Sequence, residues 1–113
     1  MAFTGQTFNI GTGRIQVTFF TNQTAAGDGD WYDVAPLSQW SVHITDMTSG
    51  DIVTISVSNA IAVPADSADF VTHSTLSEDG IVTEAANTYR WIKVHKSDGT
   101  GGGNTDAVFF GKI

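Results

Sequence analysis

Ser38-Gln39-Trp40-Ser41-Val42-His43-Ile44-Thr45 and, after a Ser49-Gly50 turn, Asp51-Ile52-Val53-Thr54-Ile55-Ser56-Val57-Ser58-Asn59 decide the fold. In the first run Trp40, Val42 and Ile44 share one parity, and Ser41, His43 and Thr45 share the other. In the second, Val53, Ile55 and Val57 alternate with Ile52, Thr54, Ser56 and Ser58. Successive side chains of a strand point to opposite faces, so each run is an extended segment with one apolar face. β-branched and aromatic residues at that period, broken by a glycine turn, predict two strong strands linked by that turn.

The same alternation continues outward. Residues 14–20 put Ile15, Val17 and Phe19 on one face. Residues 89–96 set Ile92 and Val94 against Trp91, Lys93 and His95, and a last strand over 107–112 carries Phe109 and Phe110 on opposite faces. Weaker strands are predicted over 31–34, 71–76 and 80–84, with Asp79-Gly80 and Asp98-Gly99 as hairpin-type turns. About eight short strands at this spacing predict an all-β fold, an antiparallel β-sandwich of jelly-roll or immunoglobulin-like type. Helix is expected only as a single turn within 64–70, where Ala65-Asp66-Ser67-Ala68-Asp69 permits it. Residues 1–13 mix Phe3, Phe8 and Ile10 with Gly5, Gly11 and Gly13 and read as an extended N-terminal arm on a single sandwich domain over 14–113. Three apolar side chains on an arm need a surface, either its own domain or a neighbouring subunit. Gly99-Thr100-Gly101-Gly102-Gly103-Asn104 reads as a flexible loop before the last strand.

The 113 residues are one domain's worth, enough to bury a core without staples. Cysteine is absent, which excludes disulfides, thiolate metal sites and cysteine nucleophiles. Met1 to Gln6 show neither the basic nor the apolar region of a signal peptide, and no run approaches the ~18 apolar residues of a membrane-spanning helix. A cytoplasmically synthesised protein with no membrane partner is expected. Net charge is −7, from 12 acids against 5 bases, too few cations to track a phosphate backbone, so no nucleic-acid partner is expected. Three of those bases, Arg90, Lys93 and Lys96, fall on one strand, where they read as solvated tips or as a match for an acidic partner.

No motif reads as catalytic, and no cofactor is implied. The glycine run after Asp98 lacks the Gly-Lys-Ser/Thr ending and the following helix of a phosphate loop. Asp28, Asp30 and Asp33 offer hard oxygens in a glycine-rich loop, but neither the glycine nor the closing glutamate of an EF-hand follows. Acidic turn residues bonding their own backbone account for the same letters, so no metal is expected. His43, His73 and His95 read as solvent-facing strand residues. No Gly-x-Ser-x-Gly elbow occurs, and Glu78 and Glu84, the only glutamates, suggest no acid pair. The expectation is not an enzyme. Trp91 has the parity opposite to Ile92 and Val94, so the strand either shows a sticky aromatic–basic face or is covered on both sides.

From Trp31 onward the order of pieces resembles a known family. Trp31-Tyr32-Asp33-Val34, the 38–44 strand, the Ser49-Gly50 turn, the 53–59 strand, Thr88-Tyr89-Arg90-Trp91-Ile92-Lys93-Val94 and a glycine-rich loop before a terminal strand resemble small β-sandwich structural proteins of tailed bacteriophages. These include head decoration (cement) proteins. The resemblance implies a virion protein on the outer capsid surface that binds the major capsid protein lattice and stabilises the head as a homo-oligomer (dimer or trimer). Phe3, Phe8 and Ile10 of the arm and Tyr89, Arg90, Trp91 and Lys93 of the strand are the expected contacts. The alternative is a carbohydrate-recognition or receptor-binding module of a tail fibre, with Trp91, Tyr89 or Trp31 stacking on sugar and the Asp28/Asp30/Asp33 loop holding calcium.

Overall fold

The computed structural model describes residues 7–9, 14–23, 27–28, 31–35, 37–48, 50–97 and 105–112. The chain runs β1 (Thr7–Asn9), β2 (Arg14–Gln23), β3 (Gly27–Asp28), β4 (Tyr32–Asp33), β5 (Gln39–Thr45), β6 (Ile52–Ser58), β7 (Val71–Leu76), β8 (Gly80–Glu84), β9 (Trp91–Ser97) and β10 (Thr105–Lys112). A 3-10 turn, Ser67–Asp69, precedes β7 and is the helical turn the sequence allows. Asp66 caps it, accepting from Ala68 N, while Asp69 reaches back to the Asp66 N–H.

All strand pairs are antiparallel and form two sheets. Sheet A has the order β1-β2-β10-β5-β8, and sheet B the order β3-β9-β6-β7, with β4 also on β9. β3 and β4 lie along the same side of β9 and act as one interrupted edge strand. Apart from that interruption and the β6–β7 pair, every connection from β2 onward crosses between the sheets. This is the jelly-roll order, which decides between the two sandwich types left open by the strand count. β1 places Phe8 opposite Gln16, so part of the expected arm is an added edge strand on its own domain. Phe3 and Ile10 lie outside the described residues.

The core forms where the alternation predicts. Val17 and Phe19 of β2, Trp40, Val42 and Ile44 of β5, and Ala107 and Phe109 of β10 face Val53, Ile55 and Val57 of β6 and Ile92 and Val94 of β9. Each such side chain, fully buried, contributes about 1.5–3 kcal/mol. Phe109 is the hub, with Phe19 edge-on at 6.0 Å and Tyr32 at 6.0 Å. Lys96 shares the inward parity of Ile92 and Val94. It is fully buried, its ammonium 3.7 Å from the equally buried Asp51 carboxylate. Thr48 donates to Asp51 through both its backbone N–H and its hydroxyl, each at 3.0 Å. A buried charge needs such partners, and removing either one is far costlier than the pair itself is worth.

Candidate functional site

The aromatic–basic strand β9 lies inside sheet B, with Ile92 and Val94 toward the core and Trp91, Lys93 and His95 on the outer face. One end of that outer face is covered. Residues 59–70 leave the end of β6 and cross back over it, held by Ser58, whose hydroxyl donates to Asp69 O and accepts from Ala60 N. Asn59 turns its side chain in the same direction, its Oδ1 accepting from Arg90 N at 2.9 Å. Trp91 is only 8% exposed, and its indole N–H donates to Ala60 O at 3.0 Å. Ser56 and Ser58, outward by parity, are buried as well. At Trp91 the strand is therefore covered on both sides, and this residue packs beneath the cover.

The cations of the strand are held against rings. Lys93 Nζ stands 5.1 Å from the Trp31 ring centre and 4.9 Å from that of Phe70, and the two rings meet edge-on at 5.1 Å. The Arg90 guanidinium lies 5.0 Å over the Trp91 ring and 3.7 Å from the Asp33 carboxylate. An ammonium against an aromatic face contributes about 0.5–1 kcal/mol at exposed sites. Tyr89 packs against the core cluster. Of the predicted strand contacts, Arg90 and Lys93 reach the surface region, while Tyr89 and Trp91 serve packing. Of the aromatics named for sugar stacking, Trp91 is buried, Tyr89 is half-buried against the core cluster, and Trp31 is half-buried with Lys93 and Phe70 against its ring. Asp33 Oδ1 accepts from Ala35 N at 3.0 Å, the turn bond that its position suggests. Asp30 and the side chain of Asp28 lie outside the described residues. Among the described residues no group of three or more His, Asp or Glu is placed to hold a metal ion.

The structure leaves His43 exposed, as expected, but corrects the solvent-facing reading for His73. A bulge in the β6–β7 register, between Ile55/Ser74 and Ser56/Thr72, leaves His73 without an opposite residue on β6. Its ring lies between Trp40 at 5.2 Å and Tyr89 at 6.0 Å. His73 Nε2 is 2.8 Å from Glu84 Oε1, and Nδ1 is 2.7 Å from the Ser74 hydroxyl. Glu84 Oε2 accepts from Ala86 N and Asn87 N, both at 3.0 Å. The hydrogen bond from His73, then that from Ala86, holds the Glu84 carboxyl down at about 2 from 4.5, against the opposing effect of burial. Serine, histidine and carboxylate stand in the order of a proton relay, yet the trio is spent joining β7 of sheet B to β8 of sheet A. It is a clasp across the open side of the sandwich. Glu84 shares its parity with Val82, which hints at an inward carboxylate; the bulge that supplies its partner leaves no mark in the sequence.

No protein-family model matches the chain, and no curated protein matches its sequence. Solved structures do share the fold. The SPBc2 prophage-derived protein YomS superposes with a TM-score of 0.62 at 12% identity, covering 94% of this chain and 100% of its own. The K2 cleaved adhesin domain of Lys-gingipain gives 0.56 at 7% identity, covering 96% of this chain and 70% of that one. These likenesses define the class: an antiparallel two-sheet β-sandwich. A prophage-derived protein has this architecture from end to end.

Proposed function

We propose that this protein is a structural module of a tailed-phage virion, of the head-decoration type, which binds the major capsid protein lattice as a homo-oligomer. One observation carries this reading. The cover over sheet B starts with an apolar knob, Ile61 at 90% and Val63 at 55% exposed, and elsewhere on the edge strand β7 Val71 is 65% exposed. Ile61 follows directly on Ala60, whose carbonyl oxygen accepts from the Trp91 indole N–H, so the knob springs from an anchored point. Exposed apolar clusters with a polar rim mark protein contacts, and a rigid one loses little entropy on docking. The strand order resembling phage sandwich proteins and the fold shared with a prophage-derived protein support the same reading.

The test is to purify particles from the host that carries this gene. The chain is expected in them by mass spectrometry, labelled on the outer head surface by antibody, and a dimer or trimer by light scattering when isolated. Ile61→Ser with Val63→Ser, both at exposed positions, is expected to abolish binding to heads without changing the melting temperature. Particles that lack the chain altogether would refute the proposal.

A further inference from the structure

The outer face of sheet A carries a groove of about 330 Å3 that neither the clasp nor the cover uses. It runs across β10, β5 and β8 near one end of the sheet. Its floor is the backbone of Gly111, Trp40 and Glu84, which stand side by side in the register. Trp40 and Glu84 send their side chains inward to His73, and a Cβ on Gly111 would come within 2.7 Å of Leu37. One wall is the adjoining cross-strand row, Phe110, Ser41 and Thr83; the other begins with Lys112 and Gln39. An aromatic ring, two hydroxyls, an amide and an ammonium thus line one trough, within the size range of small-molecule sites, about 300–1,000 Å3.

Lys112 is the feature that selects the ligand. Lys96 is matched by Asp51, Arg90 by Asp33, and Lys93 lies against Trp31 and Phe70. Lys112 is exposed and makes no ion pair among the described residues. On a chain of net charge −7, Lys112 sets a positive charge at the rim of this groove.

The occupant must also suit a sheet face. A peptide recognised through its backbone needs a strand edge; of the three strands only β8 has one, at the rim, while the floor over β10 and β5 is already paired on both sides. What the face offers is side chains: a ring for a C–H surface, hydroxyl and amide groups for hydroxyls, and a cation for a carboxylate. From this combination we infer that the groove binds a carboxylated saccharide, with the sugar ring against Phe110, its hydroxyls toward Ser41, Thr83 and Gln39, and its carboxylate at Lys112. The groove lies on the sheet opposite the Ile61 knob, so this inference is independent of the virion reading.

The whole chain, labelled with 15N, is titrated with three acidic probes (tetragalacturonate, a hyaluronan tetrasaccharide and sialyllactose) and with lactose and methyl-esterified tetragalacturonate as neutral controls. At least one acidic probe is expected to shift the amides of Ser41, Thr83, Phe110 and Lys112, and to bind about tenfold or more tighter than its neutral control, the value of one charge-assisted contact. Lys112→Gln is expected to erase that preference while leaving the melting temperature in place, and Phe110→Ala to weaken both acidic and neutral forms. No shift from any acidic probe, equal binding of acidic and neutral forms, or equal shifts from tetraglutamate would overturn the inference. The particle test of the knob would stand in each case.

Discussion

The two outer faces of the sandwich have opposite fates. On sheet B the outer row Trp91, Ser58 and Ser56 is buried beneath residues 59–70. On sheet A the corresponding rows stay open, with His43 and Ile81 exposed and Val108 and Phe110 only half-buried. One end of the first face was turned into a second, shallow core; the other face was left as surface. Both faces use the same strand chemistry, so the difference comes from the connection. The β6–β7 link is long enough to fold back, whereas the links that flank sheet A lead away to the other sheet. Stability is thereby concentrated on one face and availability on the other.

Substitutions can break that contrast, and the largest effect belongs to the covered side. Trp91→Ala empties the space beneath the cover and orphans Ala60 O, and it is expected to cost about 3–5 kcal/mol in urea unfolding. Next comes the clasp that joins the sheets at their open side. Glu84→Gln, which keeps the shape but removes the charge facing His73, is expected to cost about 1–3 kcal/mol at neutral pH. Because the folded carboxyl sits at about 2, below its ordinary 4.5, its contribution is complete above pH 4.5 and is lost as pH falls through about 2. The urea midpoints of wild type and Glu84→Gln should therefore converge on acidification, and parallel curves would break the assignment. Ser58→Ala removes both hydroxyl bonds of the cover, for about 1 kcal/mol, and should speed amide exchange within 59–70 while leaving sheet A unchanged. Smallest of all, Ile81→Thr on the open face should stay within about 0.5 kcal/mol of wild type. A larger loss there would mean that the open face is packed against something.

Local pattern made much of this legible. The alternation at 38–45 and 51–59 placed β5 and β6 to within a residue, because side chains a strand must bury appear every second position. The order of strands did not follow from it, since β2, β5 and β10 meet only through long-range pairing. Around β9 the parity of Trp91 against Ile92 gave two apolar faces but not what covers the outer one. That depended on Ser58, Asn59 and Asp69 turning the chain back, through bonds between residues that look like ordinary loop polar groups. Lys96 could have been placed beside Asp51 from its parity with Val94, though a lysine at a strand end reads first as surface. His73 and Glu84 were out of reach, because a single-residue bulge reverses the side on which a histidine lies.

β10 occupies the middle of sheet A, between β2 and β5, although it is the last of these strands in the chain. As the polypeptide is made, β2 and β5 must therefore wait with their facing edges unpaired until residues 105–112 have emerged. Sheet B waits less long, since β6 and β7 can zip as neighbours first and β9, which joins β3 and β4 to β6, precedes β10. The protein is thus expected to fold in order, with the covered sheet leading and the open one sealed by a final inserted strand. The cell must hold an incomplete sheet, with two bare edges, for the time it takes to make residues 46–112.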